Sequence, residues 1–594
     1  MNIKEMVSAT LNMSFDFNIK EIKTGGVYVK YEHGSAIVGG NAPYALARAY
    51  MLLAKGVSEG RTSFEISQKQ HFKECGIMVD MSRGRVMRIS AIKKFLNYMA
   101  LHGYNMFMLY TEFAYEVEGY PYMGYQNGRY SISELKEIDD YAAELGIEVI
   151  PCIQTLGHMN QFLTYGANNH MADNKEVLLV DSPETYKFIE ACISTMRKAF
   201  RSDRIHIGCD ETRGLGLGKY LKLHGFRNSF DVFNEHLHRV VKICNKYDYQ
   251  PIMWSDMYFS LAALPGDEDY STTIEVPQYA IDSMPDADMV FWDYYHNNND
   301  FYRVNIEKHK KFNRNILFAG GMWAWSGFVS DYRETYNNSK PALEECLRNN
   351  IDSVLATVWG NCPEESQIHS IPSFSVYSEY FWRGLECTED DIFSVSQFVS
   401  GTTRELTDAI SDFYSRLNPR YRTGQLIIYS DPLINLLCYD IDLALAEKIY
   451  KDSLIIFEKY PNAPDIEYYK AVFQAAIDKC YIHQNLRKKY KENDREWLAD
   501  FAYNIIPDIK RDFEKLYKLL DEIWHRDCKT QGFELIAIRF AGAIERIRYT
   551  GEVIKKYLVG EIAVIEALEP EIMTGKKEIA VGVKRVMQSF LEMK

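Results

Sequence analysis

The chain has 594 residues, and 47% of them are hydrophobic. This length exceeds that of one ordinary domain and predicts two to four domains. Its net charge of −14 argues against nucleic acid or an anionic membrane surface as a main partner. The N-terminal stretch lacks the apolar core of a secretory signal, and no run approaches the ~18 apolar residues that span a bilayer. The eleven cysteines follow no regular spacing, so we expect reduced thiols in a cytoplasmic protein.

Residues 1–70 predict a small α+β domain. The stretch "GGVYVKYEHGSAIVGG" has the pattern of two strands joined by a turn, and "APYALARAYMLLAKGV" has the pattern of a helix.

Eight short apolar runs follow between residues 71 and 390, with amphipathic segments between them. Nearly continuous apolar runs are typical of parallel strands that are covered on both faces. Two of the connectors, "MRISAIKKFLNYMALHG" and "ISELKEIDDYAAELG", end in glycine as helices commonly do. Eight such units predict a (β/α)₈ TIM barrel, an α/β fold, with strands in residues 76–82, 105–112, 148–155, 204–211, 250–256, 288–295, 315–321 and 353–360.

Polar and aromatic residues gather at the C-terminal ends of these runs, where a barrel builds its active site. They are Asp80 with Arg83, Glu112, His158, Asp210 with Glu211, Trp254 with Asp256, Asp293 with Tyr294, Trp325 and Trp359.

Residues 391–594 are helical in pattern almost throughout and show no fixed repeat, which predicts an all-α bundle domain. Such a domain offers two roles, forming a homodimer or closing one side of a cleft, and the sequence does not choose between them.

The fourth run, "RIHIGCDE", places polar residues where a buried strand should be apolar. Strand alternation puts Ile205, Ile207 and Cys209 on one face, and His206, Gly208 and Asp210 on the barrel interior, with Glu211 at the exit. A structural hydrogen-bond cluster is one interpretation, because buried polar groups need partners. The other is a catalytic carboxylate pair, Asp210 and Glu211, supported by His206.

The motif "HIGCDE" resembles the His-x-Gly-x-Asp-Glu motif of the family 20 glycoside hydrolases, the β-N-acetylhexosaminidases, and in particular a bacterial, cytoplasmic-type branch with a helical C-terminal domain. Further similarity lies, in the family's order, in "GIMVDMSRGR", "MLYTEFAYEVEGYPYMGYQNGRY", "GHMNQFL", "FAGGMWAWSGF" and "TVWGNCPEES". The ordered set is far more specific than the Asp-Glu dipeptide alone.

The resemblance implies exo-acting, substrate-assisted hydrolysis of a terminal 2-acetamido sugar, N-acetylglucosamine or N-acetylgalactosamine, without cofactor or metal. The substrate's acetamido oxygen would be the nucleophile. Glu211 would act as general acid and then base, and Asp210 would orient the acetamido N–H. Tyr294, with Tyr295 as the fallback, would bind the acetamido oxygen.

The remaining site residues also follow from the resemblance. Arg83 would grip two neighbouring sugar hydroxyls, which suits a guanidinium fork. Asp293 is either a sugar-hydroxyl acceptor or a strand-end cap. His158 would orient Glu211, with Glu112 and His206 as supporting residues. Aromatic walls and further sugar contacts would come from Trp254, Trp325, Trp359, Asn361 and Glu365.

Two positions depart from the family's pattern. Phe113 and Asn160 stand where relatives commonly carry acids. Less negative charge nearby should lower the pKa of Glu211 or reshape the leaving-group side of the pocket, so we expect an altered pH dependence or substrate preference.

Three alternatives remain open. A retaining glycosidase with a protein nucleophile predicts a second essential carboxylate ~5 Å from Glu211, with Glu112 or Glu365 as candidates. A catalytically impaired carbohydrate-binding protein is motivated by Phe113 and Asn160, although the intact pair argues against it. A metal hydrolase would use His158 and His206, but no HxH or HExxH spacing accompanies them.

Overall fold

The computed structural model describes residues 1–264, 270–414, 423–435, 437, 438 and 441–571. The chain falls into two compact units. The first comprises Met1–Met322, Thr335–Gly360 and Ile371–Val399, and the second comprises Trp323–Glu334, Asn361–Ser370 and Ser400–Lys594. The predicted division at residues 70 and 390 into three domains stays a prediction.

The first unit opens with a four-stranded sheet and two helices, which confirms a small N-terminal α+β part. Its elements are α1 (Ile3–Leu11), β1 (Asn18–Lys23), β2 (Val27–Glu32), β3 (Ser35–Gly40), α2 (Pro43–Ser58) and β4 (Ser63–Gln68). The strand order is β1-β3-β2-β4, with β1 parallel to β3 and the other pairs antiparallel.

A buried ion pair ties this layer into the first unit. Arg48 Nη2 on α2 lies 2.8 Å from Glu379 Oε1, and both side chains are fully buried. Gln68 Oε1 accepts a hydrogen bond from Arg48 Nε and the His102 carbonyl accepts one from Nη1, so the buried charge is hydrogen-bonded on several sides.

Eight parallel strands close into a barrel, which confirms the predicted TIM-type fold. The strands are β5 (Glu74–Asp80), β6 (Met106–Glu112), β7 (Glu148–Ile153), β8 (Arg204–His206), β9 (Gln250–Trp254), β10 (Asp288–Trp292), β11 (Ile316–Gly321) and β12 (Ser353–Val358). Strand β12 pairs with β5 and closes the ring. Strands such as β6 and β12 are buried at every residue, which explains their unbroken apolar runs.

The predicted connectors form helices with the expected ends. Helix α3 (Ile89–His102) ends at Gly103, whose φ of 80° is left-handed, and α4 (Ile132–Glu144) starts with a capping box between Ser131 and Glu134. The other helices up to residue 400 are α5 (Asn160–Leu163), α6 (Pro183–Ala199), α7 (Lys219–His224), α8 (Ser229–Lys246), α9 (Asp256–Ser260), α10 (Gln278–Asp282), α11 (Asn299–Lys310), α12 (Tyr332–Arg348), α13 (Phe374–Arg383) and α14 (Glu389–Ser400).

The second unit is helical, as the sequence predicts for the C-terminal region. Its helices are α15 (Arg404–Ser411), α16 (Thr423–Tyr429), α17 (Leu443–Glu458), α18 (Ile466–Lys491), α19 (Arg495–Asp500), α20 (Ile506–Asp527) and α21 (Phe533–Leu558). None of the helices in the described part of the chain combines the length and hydropathy needed to cross a bilayer. All eleven cysteines have free thiols, and ten of them are buried.

Candidate active site

The Asp210–Glu211 pair lies on a left-handed turn after β8. The strand ends at His206, and Gly208, Cys209 and Glu211 have φ of +73°, +73° and +44°. The prediction of a strand through residue 211 is therefore wrong beyond His206, because left-handed residues break the two-residue alternation of a strand. The turn buries the Asp210 side chain to 9% exposure and leaves that of Glu211 at 36%.

Side chains from neighbouring strands hold this turn. Gln154, just after β7, accepts a hydrogen bond from Cys209 N at 3.2 Å, and Asp256 accepts one from Glu211 N at 2.8 Å. A Cβ on Gly208 would lie 2.1 Å from Gln154 Oε1, so only glycine fits there. Unfavourable backbone conformations persist where surrounding contacts fix them, as here.

His158 links the two carboxylates. Its Nε2 lies 3.1 Å from Asp210 Oδ2 and 3.5 Å from Glu211 Oε2. Burial alone would lower the pKa of His158, but Asp210 and Glu211 raise it to about 10, so the ring is an imidazolium at neutral pH.

The two acids lie in different environments. Burial opposes ionisation of Asp210, yet His158 and a 2.6 Å hydrogen bond from Gln154 Nε2 lower its pKa to about 2. His158, whose Nε2 lies 3.5 Å from Glu211 Oε2, also lowers the pKa of Glu211, against burial and the charge of Asp210. The effect of Phe113 and Asn160 on the pKa of Glu211 stays a prediction, because the causes of this shift are His158, burial, Asp210 and Arg213.

Arg83 lies beside this cluster, among anionic and aromatic groups. Its Nη2 is 3.0 Å from Glu112 Oε1 and 3.4 Å from His158 Nδ1, and its Nη1 is 3.5 Å from Asp80 Oδ2. The guanidinium lies over the Trp359 ring at 4.9 Å. Asp80 also accepts hydrogen bonds from Ser82 and Gly360 backbone groups, so the ion pair and a positioned sugar-binding arginine are compatible.

Two of the three tryptophans that are predicted to form an aromatic wall lie close together. The ring centroids of Trp254 and Trp359 lie 6.0 Å apart, and both residues are buried. His206 packs on Trp254 at 4.6 Å, and its Nδ1 accepts from Gly208 N. Burial lowers the pKa of His206 to about 3, so this ring is neutral, and its contacts are with Trp254 and the turn.

The residues after β10 divide between buried and exposed positions. Tyr294 is 4% exposed, its hydroxyl reaches Thr357 and Trp359, and burial raises its pKa well above the usual value. Tyr295 is 48% exposed. Asp293 accepts hydrogen bonds from the Tyr295 and His296 backbone and from Tyr302, so it caps the strand end.

Three predicted sugar contacts belong to the second unit. Trp325 is buried and stacks on Trp323 with ring centroids 5.0 Å apart. Glu365 is buried and accepts a hydrogen bond from Ser330 Oγ, whereas Asn361 is exposed. Their contact with a sugar stays a prediction.

The sequence reasoning missed two residues of the site and gave a third no role. Tyr110 donates to Glu112 Oε1 at 2.8 Å and lies 3.3 Å from Arg83 Nη2, while Gln154 joins Tyr110 to Asp210. Both are polar residues at strand ends, which is the signal that would have found them. Asp256 was expected at a strand end, but its bond to the Glu211 backbone depends on a turn that the sequence does not reveal.

The cluster could also coordinate a cation. His158, Asp210 and Glu211 each offer one ligand atom, and these atoms lie within 4.8 Å of one another. His206, the other histidine of the metal-hydrolase alternative, is not in this group. The same three side chains also suit an acid–base pair of carboxylates that share a cationic imidazolium.

Two family models match the chain. The model described as "Glycosyl hydrolase family 20, catalytic domain" matches residues 72–279, and "Glycoside Hydrolase 20C C-terminal domain" matches residues 411–587. Together they cover the first five barrel strands, β5 to β9, and most of the helical region.

Several curated proteins are similar over part of their length. Hexosaminidase D of Bos taurus is 28% identical, over 42% of this chain and 69% of its own. A β-hexosaminidase of Akkermansia muciniphila is 28% identical, over 26% of this chain and 38% of its own length. Human hexosaminidase D is 27% identical, over 40% of this chain and 46% of its own length. The chain thus spans less than half of either of these two relatives. A crystal structure of a β-N-acetylhexosaminidase superposes with a TM-score of 0.51 over 65% of this chain and 91% of that one; at 18% identity it supports the fold alone.

Proposed function

Because the chain belongs to glycoside hydrolase family 20, we propose that it is an exo-acting β-N-acetylhexosaminidase. It would release terminal N-acetylglucosamine or N-acetylgalactosamine by substrate-assisted retaining catalysis. The observation that carries this proposal is the adjacent carboxylate pair, one member buried and ionised and the other half-exposed, which share the His158 imidazolium.

In the first step the acetamido oxygen of the substrate attacks the anomeric carbon, and the bond from that carbon to the leaving oxygen breaks. As general acid, Glu211 must first take up a proton against the lowered pKa that His158 imposes on it. It gives that proton to the leaving oxygen, and the sugar is left as an oxazolinium ion. Asp210, whose pKa of about 2 keeps it ionised, accepts the acetamido N–H and stabilises the developing positive charge. No protein nucleophile is needed.

In the second step Glu211 takes a proton from water as the water oxygen attacks the anomeric carbon and the oxazolinium ring opens. Two displacements at one carbon give net retention of the β configuration. Glu211 ends protonated and ready for another cycle. Tyr294 would bind the acetamido oxygen, with Tyr295 as the fallback.

Arg83 would bind two neighbouring sugar hydroxyls, and Trp254 with Trp359 would pack against the apolar face of the sugar and the acetamido methyl. Trp325, Asn361 and Glu365 would complete the sugar contacts. The free thiols support a cytoplasmic enzyme.

The alternative with a protein nucleophile has less support. Glu112 is already bound by Arg83 and by the Tyr110 hydroxyl, which holds it in a positioning role. In the described part of the first unit, the carboxylate that lies within 4.8 Å of both the Glu211 carboxylate and the His158 ring is that of Asp210.

The test compares nitrophenyl β-N-acetylglucosaminide with the plain β-glucoside, for the wild type and Glu211→Gln. We expect cleavage of the acetamido substrate alone, and a fall in kcat/KM of at least about 100-fold in Glu211→Gln, because general acid–base catalysis contributes that much. Glu118→Gln, at a side chain that is 85% exposed, is the matched control and should retain full activity. Equal cleavage of the plain glucoside would overturn the mechanism.

A further inference from the structure

The second unit contains two segments that continue directly from barrel strands. Loop A (Trp323–Glu334) follows β11, and loop B (Asn361–Ser370) follows β12. They carry Trp325, Asn361 and Glu365, which are the sugar contacts proposed above. What holds these loops therefore bears on sugar binding.

Helical-region side chains supply partners for the backbone of loop A. The Tyr414 hydroxyl accepts hydrogen bonds from Phe328 N at 2.8 Å and Val329 N at 3.3 Å. A Cβ on Gly327 would lie 2.5 Å from that hydroxyl, so the loop approaches Tyr414 as closely as glycine allows. Ser411 Oγ accepts a further bond from Tyr332 N at 2.9 Å. These buried N–H groups depend on the helical region for their hydrogen bonds.

Loop B is held through the fully buried carboxylate of Glu364. Arg539 Nη1 on α21 lies 2.8 Å from Glu364 Oε1, and the Tyr429 hydroxyl donates to the same oxygen at 2.7 Å. Gln425 Nε2 donates to Oε2 at 3.3 Å. A buried carboxylate with a cation and two neutral donors has one well-defined position, so the backbone at Glu364 is fixed from the helical side.

One hydroxyl joins the two loops. Tyr468 Oη on α18 lies 2.6 Å from the Phe328 carbonyl oxygen of loop A and 3.1 Å from the Glu364 carbonyl oxygen of loop B. The next residue, Glu365, accepts a hydrogen bond from Ser330 of loop A. The orientation of the Glu365 carboxylate therefore depends on both loops keeping their places.

We propose that the helical region positions loops A and B for sugar binding, with Tyr468 and Arg539 as positioning residues. This role rests on the proposed function insofar as Glu365 contacts the sugar. Loops that are ordered by buried hydrogen bonds before the ligand arrives spare the binding step the cost of ordering them.

The test compares Tyr468→Phe with Tyr450→Phe in the full chain. Each variant loses only a hydroxyl from a buried tyrosine of the helical region. Tyr450 Oη bonds the Phe413 carbonyl at 3.3 Å, within that region, so it is the matched control. Amide hydrogen–deuterium exchange of the peptides covering loops A and B is measured together with kcat and KM on nitrophenyl β-N-acetylglucosaminide.

For Tyr468→Phe we expect faster exchange in both loops and a KM raised about five- to tenfold with kcat nearly unchanged, because lost ground-state binding raises KM alone. Tyr450→Phe should change neither. Arg539→Gln should also show faster exchange and a higher KM. Arg539→Lys keeps the charge, so its changes in exchange and in KM should be smaller.

Unchanged exchange in Tyr468→Phe would overturn the positioning role. Faster exchange without any change in KM would overturn its link to sugar binding. If the wild type cleaves no acetamido substrate, the proposed function fails, whereas the exchange measurement still decides whether the helical region positions the loops.

Discussion

Replacing Gln154 with leucine should reduce activity by disturbing Asp210. Gln154 is 2% exposed, and its Nε2 lies 2.6 Å from Asp210 Oδ1 while its Oε1 accepts from Cys209 N. Leucine is similar in size but can make neither bond. The change therefore removes a donor from the ionised Asp210 and leaves a buried N–H of the left-handed turn without its acceptor.

The expected size follows from these two bonds. A hydrogen bond to a charged group is worth about 1.5–3 kcal/mol. If Asp210 needs that bond to hold the acetamido group in the transition state, kcat/KM should fall about 10- to 150-fold, at about 1.4 kcal/mol per factor of ten. The unpaired Cys209 N–H adds about 1–3 kcal/mol to the loss of stability.

The assay measures kcat/KM on nitrophenyl β-N-acetylglucosaminide together with the melting temperature. Thr155→Val is the control, because Thr155 Oγ1 donates to the Ile207 carbonyl at 2.8 Å beside the same turn without contacting Asp210. We expect it to lose stability and keep its activity. If Gln154→Leu loses stability but keeps kcat/KM at the level of Thr155→Val, the positioning of Asp210 by Gln154 is refuted.

His158→Gln should remove a pH-dependent part of the stability. The pKa of His158 is raised from 6.5 to about 10, so its contribution is complete below pH 6.5 and is lost as the pH rises through about 10. The melting-temperature advantage of the wild type should shrink across that window, and a constant advantage would contradict the pairing with Asp210. Gly208→Ala should lower the unfolding free energy by at least about 1–2 kcal/mol, because φ is +73° and the new Cβ meets Gln154; an unchanged denaturation midpoint would count against this. Arg83→Lys should reduce kcat/KM at least about tenfold, since an ammonium cannot grip two hydroxyls as a fork does, and equal activity would exclude that role.

The barrel could be predicted from the sequence because its strands are buried on both faces. Their apolar runs are unbroken, and each observed strand overlaps its predicted run, as β6 (Met106–Glu112) does with 105–112. The strands β1 and β4 were missed for the opposite reason. They are the edges of the N-terminal sheet, with mostly exposed, charged or polar residues, and edge strands of this kind carry little hydrophobic signal.

The geometry of the site could be predicted only in part. The clustering of Arg83, His158, Asp210 and Glu211 follows from their places at the ends of barrel strands. The left-handed turn does not, because it depends on Gln154, more than fifty residues away in the sequence. Tertiary contacts group loops A and B with helices far along the chain, and a local sequence pattern does not reveal such contacts.

Whether the substrate's own acetamido oxygen is the nucleophile can be tested with one series of substrates. Nitrophenyl glycosides carrying N-acetyl, N-fluoroacetyl, N-difluoroacetyl and N-trifluoroacetyl groups differ mainly in the electron density of that oxygen. A nucleophilic acetamido oxygen predicts a steep, progressive fall in wild-type kcat/KM with each fluorine. A kcat/KM that stays constant across the series would contradict it and would point to a nucleophile supplied by the protein.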